Sequence, residues 1–325
     1  MEARKITDGV FWMGAIDWDR RLFDALIPLP DGTSYNAYLV QGVEKTALLD
    51  TVDPAADYLL MAQLDGIDRV DYVVSQHAEQ DHSGTIPRVL ERYPEAKVVA
   101  SPKCKGMLMD YLLIPQEKFI TVEDGETLSL GGRTLQFVHT PWVHWPETMC
   151  TYLPEERILF TCDFFGSHLA SSDLYVRDEG RVTEAAKRYY AEIMMPFRKV
   201  IQKNVARVRE LDVEMIAPSH GPVYDQPEFI LRGYEDWISD VPKNLVVLPH
   251  TSMHGSTHRM VEHLVSGLAQ RGVRVERYDL AVTDIGKLAI SLVDAATIVI
   301  GSPTVLTGPH PNAAYAASLA NALRP

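Results

Sequence analysis

At 325 residues and 46% hydrophobic composition, the chain can bury a sizeable core and exceeds the usual span of one domain, so two domains are expected with a boundary near residue 240. Acidic residues outnumber basic ones 44 to 31, the net charge is −13, and no Lys/Arg cluster stands ready to neutralise phosphates, which argues against nucleic acid as a partner. The N-terminus lacks a signal-peptide pattern, no apolar run approaches membrane-spanning length, and Cys104, Cys150 and Cys162 have no CxxC spacing, so a cytoplasmic protein with reduced, core-packed cysteines and no membrane partner is expected.

Up to about residue 240, short apolar runs alternate with turn signals and helical patterns: NAYLV, KTALLD, VDYVVS, AKVVAS, LQFVHT and RILFTCD. They predict a mixed α/β domain. Tyr189 to Glu210 carries apolar residues at helical spacing, broken by Pro196, and reads as a helix on the outside of a sheet. After SDVPKN the rhythm becomes βαβαβ: LVVLP, a helix over Ser256 to Arg271, VRVERYDL, a helix over Asp284 to Val293, ATIVIGSP, then a helix over Asn312 to Leu323. The expected domains are therefore residues 1–242 and 243–325.

The stretch SQHAEQDHSGTIP follows the apolar run VDYVVS and crowds His77, Glu79, Asp81 and His82 at a strand's carboxyl end, where α/β folds place ligands. In an extended loop, alternate residues project together, so His77, Glu79 and Asp81 are expected to converge while His82 turns to a second point. One ion cannot take all four, but two neighbouring ions can. His144, Asp163 and His220 recur in similar strand-then-turn settings, giving four imidazoles and three carboxylates in all. His139 and His168 are candidates to orient a ligand or to pack as ordinary histidines. Trp142 and Trp145 either wall the pocket or simply pack, whereas His250, His254, His258, His263 and His310 lack ligand spacing and are expected in surface or loop roles.

The chain resembles the metallo-β-lactamase superfamily, whose signature is HxHxDH followed by later His, Asp and His ligands; here Glu79 replaces the second histidine. Imidazole-rich sites suit zinc, whereas mixed imidazole and carboxylate sites with a bridging carboxylate suit iron. With HWPETM and the following βαβαβ segment, the sequence resembles a flavodiiron protein, or A-type flavoprotein, along its whole length. The resemblance implies an αββα metallo-β-lactamase-like sandwich, then a flavodoxin-like doubly wound parallel sheet. It also implies two non-haem irons, one held by His77, Glu79 and His144, the other by Asp81, His82 and His220, with Asp163 bridging. No catalytic residue beyond these ligands is implied.

In the second domain, PHTSMHGSTHRM follows a strand and opens a helix; Thr251, Ser252, Met253, His254, Gly255, Ser256 and Thr257 form a cradle suited to the phosphate of FMN. Ser302, Pro303, Thr304 and Val305, after the third strand, are the candidates to run along the flavin ring. A flavodoxin-like sheet has five strands in the order 2-1-3-4-5, whereas this chain supplies three, so a truncated form or an edge paired with another chain is expected. The resemblance implies an oxidoreductase that takes electrons through FMN and reduces O2 to water, NO to N2O, or both. It further implies an electron donor such as rubredoxin or a flavin reductase, and a head-to-tail homodimer or a tetramer. The alternatives are a zinc-dependent hydrolase of the same superfamily and a diiron subunit deficient in electron transfer.

Overall fold

A computed structural model describes residues 2–325. Two compact units emerge: the first comprises the residues through Arg21, Leu29–Ala186 and Lys199–Tyr234, the second Leu22–Pro28, Lys187–Arg198 and Glu235–Pro325.

The first unit stacks two sheets. One has seven strands in the order Arg4–Thr7, Val10–Asp17, Thr33–Gln41, Thr46–Leu49, Tyr72–Val74, Lys97–Ala100 and Phe119–Thr121. Its pairing is antiparallel as far as Thr46–Leu49 and parallel beyond. The other has five: Thr127–Ser129, Thr134–His139, Met149–Leu153, Ile158–Cys162 and Met215–Pro218, the last pair parallel.

Strand periodicity decides which side chain enters which layer. In the larger sheet, Val10, Trp12, Tyr38, Val40, Ala47, Leu49, Val74 and Val99 share one core with Leu135, Phe137, Met149, Phe160 and Ala217 of the smaller sheet. The alternate residues Met13, Tyr35, Leu39, Leu48, Val73 and Val98 enter a second core. That core is closed by Leu60, Ile86, Val89, Cys104 and Leu108, carried on the helices Asp57–Gln63, Ile86–Arg92 and Pro102–Leu112. Because both faces are buried, the strands read as unbroken apolar runs. Each fully buried aliphatic side chain contributes roughly 1.5–3 kcal/mol. All three cysteines are free and buried, as their spacing suggests.

Over Tyr189 to Glu210 the structure departs from the single helix expected. The helix Glu179–Tyr189 passes into a π turn, Tyr190–Met194, then a 3-10 turn, Met195–Phe197, before Arg198–Arg209 resumes. Pro196 has no N–H to continue the α ladder, and the 3-10 turn falls there. Only Arg198–Arg209 fits the expected helix of the first unit: it buries Ile201, Val205 and Val208 and clamps Asp124 through Arg207 at 2.7 and 2.8 Å.

In the second unit, three parallel strands lie in the order Arg274–Asp279, Leu245–His250, Thr297–Ile298, which is second-first-third along the chain. The run ATIVIGSP forms only the two-residue strand Thr297–Ile298 plus a bridge from Gly301 to His250, and it is one of the sheet's two outer strands among the described residues. The helices Ser256–Ala269, Ile285–Leu292 and Pro311–Leu323 accompany the sheet. Asp284 starts the second of these helices by accepting from Gly286 N at 2.9 Å, and Arg188 grips the same carboxylate at 3.1 and 2.7 Å.

Candidate metal centre

Every ligand candidate lies beyond a carboxyl end of a strand or in the loop at the same edge, and backbone bonds lock these loops together. After Tyr72–Val74, the Gln76 amide and side chain donate to Asp50 at 2.8 and 2.7 Å. Asp50 closes the neighbouring strand Thr46–Leu49 in a left-handed conformation, φ 54°. Thr51 then donates to the carbonyl of His82 through Oγ1, at 2.6 Å, and through its amide, at 2.7 Å. Met149 N donates to Gln76 O at 3.0 Å, fixing the end of the loop that carries His144.

The loop bearing His220 is held by Asn36, whose Nδ2 donates to the carbonyls of Pro218 and Gly221 at 2.8 and 2.7 Å. Asn36 is itself oriented by Trp12 Nε1 at 2.9 Å. Gly221, at φ +82°, passes so close to Ser167 that a Cβ there would lie 2.1 Å from Ser167 Oγ, so no larger residue fits.

This framework brings all seven candidates together as two trios. His77, Glu79 and His144 meet with Asp163, and Asp81, His82 and His220 meet beside it, each group offering donor atoms within 4.8 Å of one another. Glu79 Oε2 lies 3.1 Å from Nε2 of both His77 and His144. Asp163 stands between the trios: Oδ2 is 3.3 and 3.2 Å from Nε2 of His77 and His144, and Oδ1 is 3.0 and 3.3 Å from Nε2 of His82 and His220. Asp81 Oδ2 lies 3.2 Å from His220 Nε2.

One expectation from spacing fails. Asp81 does not converge with His77 and Glu79, because the chain stops being extended at Glu79 and turns into the short helix Gln80–Ser83. The helical turn carries Asp81 and His82 to the same side, giving the partition that the family resemblance implies.

Burial disfavours charge throughout the centre, yet the opposite charges overcome it. Despite burial, His77 is held well above the ordinary imidazole range by its bonds to Glu147 and Glu79. His144, facing Asp163 and Glu79, is raised to about 9, and His220, facing Asp163 and Asp81, to about 10. His82 is raised by the charges of Asp81 and Asp163, while Glu79 and Asp163 are pulled down by the imidazoles around them.

Even so, the buried oxygens of Asp81 and Asp163 and both ring nitrogens of His82 find no hydrogen-bond partner. Buried polar atoms are rarely left so. Three carboxylates and four imidazoles turning lone pairs on two adjacent points are what a pair of cations satisfies, and the mixed O/N donor set suits iron. Fold and donor set together mark a candidate dinuclear metal centre on a two-sheet α/β scaffold.

Residues 33–221 match the family model described as "ODP family beta lactamase". The chain is 36% identical over 323 residues to coenzyme F420H(2) oxidase of Methanothermobacter marburgensis, covering 95% of this chain and 80% of the relative. It is 36% identical over 309 residues to the nitric oxide reductase of Moorella thermoacetica, covering 92% and 77%. The flavodiiron protein of Giardia intestinalis superposes with a TM-score of 0.94 at 28% identity, over 99% of this chain and 80% of that one. The chain belongs to the flavodiiron, or A-type flavoprotein, family.

The other singled-out residues sort as follows. His168 is buried beside His220, ring centroids 5.0 Å apart, with Nδ1 2.9 Å from Thr33 Oγ1. Burial and the neighbouring His220 charge push its pKa well below the ordinary value. His139 bonds instead to Val122 O at 3.1 Å and joins neither trio. Trp145 stands edge-on to His77, centroids 5.0 Å apart, whereas Trp142 is 45% exposed. His250 is buried at a strand end rather than on the surface, and His310 caps the last helix by accepting from Asn312 N at 3.2 Å.

In the second unit, Thr251–Thr257 leave the strand Leu245–His250 and open the helix Ser256–Ala269, with Gly255 at φ +83° facing open space. Ser252 Oγ accepts from Gly255 N and His258 N at 3.1 and 3.2 Å, so it shapes the turn, while the buried Thr251 Oγ1 has no hydrogen-bond partner. Thr251 N donates to Gly301 O at 2.9 Å, setting this loop beside the one that holds Ser302 and Pro303. Thr304 and Val305 pair with Gly308–Pro309 as a small hairpin, and Ser302 Oγ pins it by accepting from His310 N at 2.9 Å. An orphaned hydroxyl and the first-turn amides of a 14-residue helix are donors that fit a phosphate monoester.

Sequence reasoning missed Asn36, Asp50 and Glu147. Glu147 lies inside the quoted HWPETM, and its closeness to His144 was the one available signal; Asn36 and Asp50 lie far from the ligands in sequence.

Proposed function

We propose that this protein is a flavodiiron oxidoreductase that reduces O2 to water, NO to N2O, or both, at a non-haem diiron centre fed with electrons through FMN. The single observation that supports it best is Asp163, whose two oxygens face the two trios separately, as a bridging carboxylate must. His77, Glu79 and His144 would hold one iron and Asp81, His82 and His220 the other, with Asp163 reaching both. The cradle at residues 251–257 and the loop at Ser302 to Val305 hold FMN. When bound, the iron pair supplies electrons to the gas and FMN restores them.

The chain's own residues do the rest. Trp145 sets an apolar ring edge-on to His77, which restricts water on that side of the centre. Among the seven candidates, Glu79 and His144 are the ones that reach solvent, with side chains 12% and 16% exposed, while the other five are buried. A small gas reaches the centre past these two. Ser34 O and Glu147 orient the rings of His220 and His77 through their Nδ1 atoms.

The coenzyme F420H(2) oxidase and nitric oxide reductase names of the relatives support oxygen and nitric oxide as alternative substrates. A rubredoxin or flavin reductase serves as donor, and the working form is a head-to-tail homodimer or a tetramer, located in the cytoplasm. No helix among the described residues is long and apolar enough to cross a membrane. The segment from about residue 243 onward acts as the N-terminal part of the flavodoxin-like domain.

The test is metal and flavin quantification on purified protein, then anaerobic reduction and measurement of O2 and NO consumption. Two irons and one FMN per chain with gas consumption are expected. Zinc with hydrolytic turnover and no iron would overturn the reading.

A further inference from the structure

The two trios carry different support behind their imidazoles. Glu147 is buried, and its Oε1 accepts from Ala78 N at 3.0 Å while lying 2.7 Å from His77 Nδ1. A backbone amide only donates, so that oxygen is an acceptor, and the imidazole nitrogen facing it carries the proton. Nε2, which faces Glu79 and Asp163 at 3.1 and 3.3 Å, is thereby the ring atom left to bind a metal.

Glu147 is itself held firmly. Its carbonyl accepts from Ser101 Oγ at 2.9 Å, at the start of the helix Pro102–Leu112, and the adjacent Thr148 closes the loop through Thr140 N→Thr148 O at 2.9 Å. In the other trio, His220 Nδ1 lies 2.6 Å from a neutral carbonyl, Ser34 O, and neither ring nitrogen of His82 has a hydrogen-bond partner.

We propose that Glu147 is a positioning residue that makes the two metal positions unequal, fixing the His77 tautomer and placing a full negative charge one imidazole behind the position held by His77, Glu79 and His144. That position is then the more electron-rich of the two and is the harder to reduce. A carboxylate behind an imidazole raises its strength as a donor, and loss of such a partner typically costs 10–100-fold in metal affinity. The inference rests on the diiron reading above.

Glu147→Gln and Glu147→Ala in the full, iron-loaded chain test it through iron per chain, the Mössbauer spectrum of the oxidised centre, and a reductive titration followed by EPR of the half-reduced centre. Glu147→Gln keeps the acceptor but removes the charge: two irons remain, one of the two Mössbauer sites shifts, and the separation between the two reduction steps narrows. Glu147→Ala weakens one position about 10–100-fold and leaves the other filled. Wild-type protein with two irons, and variants with unchanged affinity, spectra and reduction steps, would overturn the inference while sparing the diiron reading; so would lower melting with unchanged spectra. Wild-type protein that takes up no iron would remove the diiron reading and this inference together.

Discussion

Replacing Asp163 by Asn separates a bridging carboxylate from one that merely lies nearby. The side chain keeps its shape, but one of two oxygens becomes an amide nitrogen that cannot ligate. Each oxygen serves one trio, Oδ1 at 3.0 and 3.3 Å from His82 and His220, Oδ2 at 3.3 and 3.2 Å from His77 and His144. The substitution therefore leaves one trio without its Asp163 oxygen whichever way the amide turns. Iron should fall from two to one per chain. At a free metal concentration about 100 times the dissociation constant, each filled position stabilises the folded state by about 2.7 kcal/mol. For a unit of this size, about 1 kcal/mol moves the melting temperature roughly 2–4 °C. The iron-loaded variant should thus melt about 5–11 °C below the iron-loaded wild type, with the two metal-free forms closer together. Scanning calorimetry with and without iron, alongside iron analysis, measures both. Two irons per chain at wild-type affinity would show that Asp163 does not bridge.

Other outcomes follow from the same geometry. Glu79→His should raise the ratio of bound zinc to iron, since it restores an imidazole-rich trio; elemental analysis after growth with both metals reads it. Gly221→Ala adds a Cβ at φ +82° and 2.1 Å from Ser167 Oγ, and should cost about 2–4 kcal/mol in denaturant unfolding while weakening iron at the His220 position. Glu192 is raised from 4.5 to about 8, chiefly by burial and further by the charge of Asp284, against the pull of Arg188. The folded state therefore holds an extra proton between those values, and stability falls as pH rises through that window, by on the order of 4 kcal/mol in total, then levels off above it. Urea unfolding from pH 5 to pH 9 should show this slope in the wild type and lose it in Glu192→Gln. Removing iron with a chelator should lower the melting temperature of wild-type protein more than that of Asp163→Asn, as paired thermal scans would show.

The seven candidate ligands could be read from the chain because a metal site needs particular donor atoms, and His77, Glu79, Asp81 and His82 stand close enough in sequence to announce one. Their grouping could not be read from spacing. Extended geometry joins Asp81 to His77 and Glu79, whereas the turn Gln80–Ser83 sends it to His82 and His220. Four residues carry too weak a periodicity to distinguish an extended loop from one helical turn. Similarly, Pro196 announced an interruption between Tyr189 and Glu210, but not that π and 3-10 turns would fill it.

By itself, then, the sequence determined the strand runs, since alternation and apolar composition act locally, and the chemical identity of the donors. Tertiary structure alone decided that Asp163 faces both trios, that Asn36 and Asp50 lock the ligand loops, and that Glu147 stands behind His77. Those facts depend on groups as much as 185 positions apart meeting within a hydrogen bond's length. Such meetings are fixed by how the two sheets stack and their loops interlock, and no local pattern in the chain encodes them.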